Sequence, residues 1–555
     1  MSFLTAGLRK LLSYVRVRSG RVARFASRFN RVWRYGWDMV FWSHMLGRKH
    51  DPIPIEFPNR VLQEKGVSRQ PPALHVSGPN EAASLWDNGF AAVNATLLLN
   101  LNAPDVLSSV RYAHPAPAFQ GVYLWDSAFI AQVWRLWEPE AARDAILAVL
   151  ELRDGARMQH VVADFVSSKY TQPPLLAWSL LRCCPLGDAE GLAVLSRAYP
   201  HLRDYNEWLN GNRRTQHGLY AWAHPYESGI DNSPRFSSRD ESAFVDTRSM
   251  ESPDFSAYMV LQNESLAEIA RRVDDLQAAA RFSEQAEEIR DAMNALLWSD
   301  EDGLYYDRDV ASGKLLRHKT IAALLPLWAG VPDDERAGRL IEHAVDPRSF
   351  GTPIPLPSVA RDSPDFVLDM WRGPVWINTA FAVIQGLERY GRLEEAGELS
   401  ARLCEGVYRT FANERRVFEF YDPERFDICR LHRKQGNRWK QFTLGGKPVS
   451  EFVGWSGLVN TLVIENLIGL REGATGTLEL RPLIPQRLAG MAFSIRLPAY
   501  GLAITVERTA AGGVCGVVRS ATGIQRFDAP FGEAMAIGAA GNNARDIRCD
   551  SATSL

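Results

Sequence analysis

Two short acidic runs, far apart in the chain, contain the residue types needed to cleave a glycosidic bond. Residues 224–235 read HPYESGIDNSPR and hold Glu227 and Asp231, and residues 418–423 read FEFYDP and hold Glu419. Such cleavage needs one carboxyl as an acid and a second as a base or nucleophile, and aromatic rings stack on sugars. Because Asp before Asn-Ser-Pro also forms ordinary turns, the runs alone leave their role open.

The first run has a composition that favours a rigid turn. Gly229 and Pro234 flank Asp231 at close range, and such a turn can hold a carboxyl at the mouth of a helix. Glu227 lies four residues before Asp231, where it could bond a sugar or orient the acid.

Composition narrows the class of protein. A chain of 555 residues with 46% apolar and 23% charged residues is typical of a globular protein with one large core and a smaller domain. Several of the sixteen tryptophans stand beside polar or glycine positions, which suits sugar binding. The six cysteines have neither metal-ligand nor disulfide spacing, and nucleotide-binding loops are lacking. We therefore expect no cofactor, no metal, no nucleic-acid partner and a reducing, cytoplasmic location.

The basic residues are concentrated at the N-terminus. Residues 1–50 hold eleven Lys and Arg and a single acid, although the net charge of the whole chain is −2. This N-terminal arm could contact an anionic membrane surface, remain a solvated or nucleic-acid-binding tail, or pack on the acidic body. No apolar stretch is long enough to span a bilayer. Residues 51–80 are rich in proline and read as an extended strap or linker.

Residues 81–472 show mainly helical periodicity, in which segments that are apolar all round alternate with amphipathic ones. Inner helices buried on every side and outer helices buried on one side would produce this alternation, so the pattern predicts an (α/α)6 catalytic barrel. After residue 473 the period changes to two, which predicts an antiparallel β domain to residue 545, followed by a tail, 546–555. The predicted helices lie near 82–102, 125–138, 139–153, 172–184, 189–209, 253–273, 274–298, 318–329, 333–345, 374–391, 393–412 and 453–470.

Six motifs in order resemble glycoside hydrolase family 63 and its kin, the mannosylglycerate and glucosylglycerate hydrolases. Together they span roughly residues 82–470. The matching stretches are WDSAF from Trp125, YTQPP from Tyr170, ESGIDNSP from Glu227, WRGPVW from Trp371, EFYDP from Glu419 and GWS from Gly454.

The resemblance implies an (α/α)6 barrel and an inverting mechanism, with Asp231 as general acid and Glu419 as general base. It places Trp125 and Asp126 in the pocket for the non-reducing sugar. Simpler explanations exist for some matches: Asp126 could stabilise a helix N-terminus, and Arg372 could pair with Asp369. The substrate-binding residues expected from the motifs are Trp125, Asp126, Tyr170, Gln172, Glu227, Trp371, Arg372, Gly373, Trp376 and Trp455.

The chain departs from this family after Glu419, where about thirty residues precede the GWS motif. This insertion, residues 424–450, is rich in basic residues. It could fold over the acceptor side and favour an anionic or large aglycone, form a solvated excursion, or make an oligomer contact. Because it weakens the assignment of Glu419, other acids remain candidate bases, with Glu451 the strongest: Glu414, Asp422, Glu424 and Glu451.

The sequence therefore predicts an inverting α-glycosidase that acts on an α-glucoside or α-mannoside. Two other interpretations stay open: a glycoside phosphorylase, in which phosphate replaces water, and a non-catalytic glycan-binding barrel at a membrane surface. The sequence does not indicate the oligomeric state.

Overall fold

A computed structural model describes residues 55, 57–78, 80–163, 167–236, 246–435, 445–473 and 476–538. The predicted basic N-terminal arm and C-terminal tail lie outside these residues, as do parts of the strap and of the 424–450 insertion.

The described residues are mostly helical. Each predicted helix except one overlaps an observed helix. The helices are α1 (Asn59–Glu64), α2 (Asn80–Asn100), α3 (Leu124–Trp134), α4 (Pro139–Glu151), α5 (Leu176–Arg182), α6 (Ala189–Arg213), α7 (Pro225–Ser228), α8 (Pro253–Arg272), α9 (Leu276–Leu296), α10 (Asp334–Val345), α11 (Ile377–Arg389), α12 (Leu393–Glu414) and α13 (Leu458–Leu462), which continues as a π-helical turn, Val463–Leu467.

The prediction of a helix over 318–329 is wrong. Only two 3₁₀ turns form there, Ile321–Ala323 and Leu325–Leu327. Pro326 lacks the N–H that an α-helix needs at an interior position, and its ring disfavours the helical turn before it. Gly330 then adopts a left-handed φ of 63°, which ends the segment.

Six buried segments contact one another in a closed circle. In order they are α3, α5, α8, the 3₁₀ segment 321–327, α11 and α13, and α13 returns to α3. Every residue of α3 is buried, as its uniformly apolar sequence predicts. Longer amphipathic helices such as α9 and α12 pack outside this circle and bury one face.

The strands form one larger sheet and several short pairings. They are β1 (Ala73–Ser77), β2 (Leu101–Asn102), β3 (Tyr112–Ala113), β4 (Val122–Tyr123), β5 (Val161–Val162), β6 (Met250–Glu251), β7 (Trp298–Ser299), β8 (Leu304–Tyr305), β9 (Asp307–Asp309), β10 (Leu315–Leu316), β11 (Leu470–Glu472), β12 (Leu478–Leu480), β13 (Ala492–Leu497), β14 (Leu502–Arg508), β15 (Val514–Ser520), β16 (Gly523–Ala529) and β17 (Met535–Ala536).

The larger sheet is antiparallel with the order β1-β13-β14-β15-β16. Strand β14 alternates buried and half-buried residues, as its sequence pattern predicts. Strand β1 comes from the predicted strap, and its residues 73–77 pair with 492–496. Trp86 of α2 packs its ring on Phe493, so the sheet and the helical body share one continuous core.

Within the described part of the chain, no helix combines the length and apolarity needed to cross a membrane. The same residues contain no group of three or more His, Cys, Asp or Glu arranged to hold a metal ion. The five described cysteines are free thiols.

Candidate active site

A cavity of about 210 Å³ lies where the segments preceding the inner helices converge. Asp126 opens α3, Gln172 precedes α5, Trp376 precedes α11 and Trp455 precedes α13. The N-terminal ends of these helices meet at one end of the circle of inner segments. Residues from distant parts of the sequence therefore line the same cavity. The predicted site residues that line the cavity are Asp126, Gln172, Asp231, Trp371, Trp376, Glu419 and Trp455.

The remaining predicted residues are absent from the wall that the described residues form. Tyr170 stacks on His224 with ring centroids 4.5 Å apart. Gly373 donates its N–H to Ser358 Oγ at 2.9 Å, in a turn where its φ is 150°. The predicted residues that do not line the cavity are Trp125, Tyr170, Glu227, Arg372 and Gly373.

The segment that carries Asp231 is held by a buried ion pair beneath it. Glu227 is fully buried and accepts two hydrogen bonds from the Arg213 guanidinium, at 2.7 and 2.9 Å. It also accepts from the backbone N–H of Ala223 at 2.9 Å. These bonds tie the segment that carries Asp231 to the end of α6, and they occupy both carboxylate oxygens of Glu227.

Gly229 links this segment to Trp125. Its φ of 74° lies in the left-handed region, and a Cβ there would stand 2.0 Å from the Trp125 ring. Only glycine fits such a close approach. Trp125 therefore supports the turn before Asp231 from behind the cavity wall.

Backbone and ring contacts hold Glu419. Its N–H donates to Val449 O at 2.9 Å, and its carbonyl accepts from Trp455 Nε1 at 2.7 Å. The side chain is buried and forms an ion pair with Arg433. The other acids considered as bases, Glu414, Asp422, Glu424 and Glu451, do not line the cavity among the described residues.

Tryptophans form one wall of the cavity. The rings of Trp371 and Trp376 stack 3.7 Å apart at an interplanar angle of 6°. Trp455 meets Trp376 at 5.3 Å and an angle of 60°. These aromatic rings therefore share one cavity wall with the carboxylates of Asp126, Asp231 and Glu419.

Asp126 is a third carboxyl in the cavity, and its surroundings differ from those of the other two. Burial raises the pKa of Asp126 to about 7, although a backbone hydrogen bond opposes this shift. Its Oδ1 is buried and has no hydrogen-bond partner among the described residues. A Cβ on Gly454 would lie 2.3 Å from that oxygen, so glycine leaves room for it. A carboxyl that is partly protonated at neutral pH can both donate and accept hydrogen bonds.

Sequence reasoning missed several residues of the wall. Arg433 and Lys434 belong to the basic insertion, but no pattern singled them out from the other basic residues. The aromatic residues Phe119, Tyr123, Tyr226 and Phe452 also line the cavity, together with Pro115, His160, Val161, Gly229 and Met370. Tyr226 lies in the first acidic run, so its position next to Glu227 was an available signal.

Comparison with known proteins identifies similar chains. The family model described as "Mannosylglycerate hydrolase MGH1-like glycoside hydrolase domain" matches residues 120–437. A mannosylglycerate hydrolase of Thermus thermophilus is 30% identical over 411 residues, which cover 58% of this chain and 94% of that protein. The mannosylglycerate hydrolase of Rubrobacter radiotolerans is 26% identical over 397 residues, 56% of this chain and 88% of that one.

Solved structures are similar as well. A glycoside hydrolase family 63 mannosylglycerate hydrolase of Thermus thermophilus, in complex with glucose, matches with a TM-score of 0.55 and 25% identity. That match covers 67% of this chain and 98% of the other. A sialidase matches 90% of this chain and 44% of its own with a TM-score of 0.64, at 14% identity, and this second likeness concerns the fold alone.

Proposed function

The chain belongs to the mannosylglycerate hydrolase MGH1-like glycoside hydrolase family, and from this premise we propose that Asp231 and Glu419 are the acid and base of an inverting α-glycosidase. The protein is a glycoside hydrolase. Its proposed substrate is an α-mannoside or an α-glucoside, and a glycosylglycerate is the first compound to test. The observation that carries the proposal is that both carboxylates line one cavity walled by tryptophans.

The proposed reaction is a single displacement. Asp231 donates a proton to the glycosidic oxygen, while Glu419 removes a proton from a water that attacks the opposite face of the sugar. The neighbouring Arg433 cation favours the ionised form of Glu419, but a paired carboxylate accepts a proton less readily, so this pair has to open before Glu419 acts as the base.

We assign the sugar to the space between Asp126 and the tryptophans. Trp371, Trp376 and Trp455 supply stacking surfaces, and the unpartnered Asp126 Oδ1 supplies a buried polar atom that a sugar hydroxyl would satisfy. Gln172 lies beside them and accepts a hydrogen bond from the backbone N–H of Trp125 at 3.1 Å. The bond restrains the orientation of the Gln172 amide at the wall.

We also assign the helical body to the (α/α)6 barrel class. The closed circle of six buried segments and the amphipathic helices outside it support this assignment. The β domain that follows residue 473 packs against the outer helix α12, where Arg508 pairs with Glu394, and none of its described residues lines the cavity.

The relatives are hydrolases, which favours hydrolysis over the phosphorolysis and non-catalytic binding that the sequence left open. The test is a panel of α-linked disaccharides and glycosylglycerates, with the released sugar followed by NMR. We expect hydrolysis without added phosphate and the β-anomer as the first product. First appearance of the α-anomer would contradict inversion, and a requirement for phosphate would favour phosphorolysis.

A further inference from the structure

Two consecutive residues of the insertion occupy the cavity and contact both proposed catalytic carboxylates. Arg433 pairs with Glu419, and Lys434 Nζ lies 2.5 Å from Asp231 Oδ2. The side chains of Arg433 and Lys434 are only 4% and 3% exposed. Each cation also lies over a ring of the cavity wall: Arg433 over Phe119 at 5.4 Å and Lys434 over Tyr226 at 5.3 Å.

The backbone around these residues is tied to the loop that carries Trp371. His432 donates its N–H to Leu368 O at 2.8 Å and accepts from the N–H of Met370 at 3.0 Å. Gln435 donates its N–H to the Asp369 carboxylate at 3.2 Å. These bonds fix the backbone that carries the two cations, whereas the cationic side chains themselves are held by the ion pairs and ring contacts.

Lys434 and Met370, one on each side of this pairing, have left-handed φ angles of 50° and 52°. Such angles are uncommon in residues other than glycine, and they concentrate at functional sites, where surrounding contacts hold them.

This arrangement is incompatible with proton donation by Asp231, which the proposed single displacement requires. The Lys434 ammonium stabilises the ionised form of Asp231, which has no proton to donate to a leaving group. The remaining cavity of about 210 Å³ is also smaller than the roughly 300 Å³ at which small-molecule sites begin. A glycoside therefore needs Lys434 to leave Asp231 before the acid can act.

We propose that the side chains of Arg433 and Lys434 form an autoinhibitory plug, which holds the two carboxylates in a resting state and turns away from them when substrate enters, while the backbone stays in place. The inference rests on the proposed function of Asp231 and Glu419. Use of the pair as a ready-made anion site is disfavoured, because each cation already faces a carboxylate and the four groups have no net charge.

The first test compares the wild type with the Arg433→Ala/Lys434→Ala double variant on neutral 4-nitrophenyl α-mannoside and α-glucoside. We expect kcat/KM of the double variant to rise at least tenfold, because the acid regains its proton and the cavity enlarges. Arg425→Ala is the matched control: Arg425 lies in the same insertion, is 52% exposed and pairs with Asp427. Its kcat/KM should stay within twofold of the wild type.

A second measurement does not depend on activity. Carbodiimide coupling with glycinamide, followed by peptide mass spectrometry, reports access to each carboxyl. Asp231 and Glu419 should be labelled at least fivefold faster in the double variant, whereas Glu451, buried and paired with Arg416, should be unchanged. Lys434→Met keeps the length of the side chain and should expose Asp231 alone, should the double variant fold poorly.

The two measurements separate the plug from the proposed function. Faster labelling without hydrolysis would support the plug and contradict the assignment of the two carboxylates to catalysis. Unchanged labelling in both variants would overturn the plug. Loss of hydrolysis in the double variant would also overturn it, since Arg433 and Lys434 would then serve the reaction.

Discussion

Buried charged side chains are paired differently at the two ends of the circle of inner helices. At the C-terminal ends, arginines and glutamates form closed networks: Glu465 pairs with Arg135 and with Arg182, and Glu388 pairs with Arg471 and Arg481. At the N-terminal ends, the cavity holds three carboxyls, and Asp126 has no ion pair among the described residues.

The difference follows from what each end must do. Cations near helix C-termini are favourable, and paired charges there need no further partner, so that end is suited to stability. A buried carboxyl without a cation is costly for folding, and such groups are found where a ligand or a proton transfer requires them. Within one ring of helices, the charged groups at the C-terminal ends therefore serve stability, whereas the carboxyls at the N-terminal ends are available for chemistry.

The largest effect expected is on activity, at the cavity end. Asp231→Asn removes the proposed proton donor, and Glu419→Gln removes the proposed base, so each should lower kcat by about 10²–10⁴-fold. Steady-state kinetics on the best substrate of the panel measures this. Glu424→Gln is the control, because Glu424 pairs with Arg361 and Arg430 outside the cavity. Near-wild-type turnover by Asp231→Asn would remove Asp231 from the mechanism.

A pH-dependent effect on stability is expected at Asp126. Its pKa is about 7 in the folded protein and 3.8 as the reference for the unfolded chain, so folding takes up a proton between these values. The wild type therefore loses stability as pH rises from about 4 to 7, by up to about 4 kcal/mol, and this contribution levels off above pH 7. Asp126→Asn lacks the titration, so its stability relative to the wild type should rise over the same range.

Thermal unfolding midpoints of both proteins at pH 5, 6, 7 and 8 test this sign. Asp309→Asn is the flat control, because hydrogen bonds from Ser312 lower the pKa of Asp309 below its ordinary value of 3.8, so Asp309 titrates below this pH range. The stability of that variant relative to the wild type should stay constant from pH 5 to 8. A difference between Asp126→Asn and the wild type that stays constant with pH would show that Asp126 keeps its charge on folding.

The sequence predicted which residues line the cavity better than it predicted the ion pairs that these residues form. Aromatic and glycine-rich motifs pointed to Asp126, Asp231, Glu419 and the tryptophans because each motif is local. The contact between Lys434 and Asp231 spans 203 residues, and only the packed fold brings these two together. For the same reason the sequence did not reveal that Trp125 lies behind the wall.

The fold itself was predictable where periodicity is strong. Helices α9 and α12 follow their amphipathic patterns closely, whereas the apolar run at 318–329 carries no period that separates helix from 3₁₀ turns. Pro326 was the local sign against a helix there. The joining of strand β1 to the C-terminal sheet depends on long-range pairing, which alternation in five residues cannot specify.

At the opposite end of the circle, Glu465→Gln should destabilise the protein by about 3–5 kcal/mol without changing kcat. The substitution leaves Arg135 and Arg182 close together with no shared carboxylate. Burial and the neighbouring Arg135 already lower the pKa of Arg182 to about 9, so loss of the carboxylate leaves two cations that repel each other. A lower unfolding midpoint with unchanged turnover of the folded enzyme would support a purely stabilising role for this end of the circle. A reduced kcat would contradict that role.

The smallest effect on the free energy of unfolding is expected at a surface ion pair between glutamate and arginine. Glu398 of α12 binds Arg487 at 3.0 Å, but both side chains are about one-third exposed, and Arg487 keeps a second partner, Glu405, at 2.9 Å. Water competes for exposed charges, so Glu398→Gln should cost less than about 1 kcal/mol. Both sites pair arginine with glutamate, but they differ in the burial of the glutamate and in the second carboxylate that Arg487 retains. An unfolding midpoint as low as that of Glu465→Gln would mean that burial does not determine how much stability is lost with the glutamate. The proposed difference between the two ends of the circle would then have no physical basis.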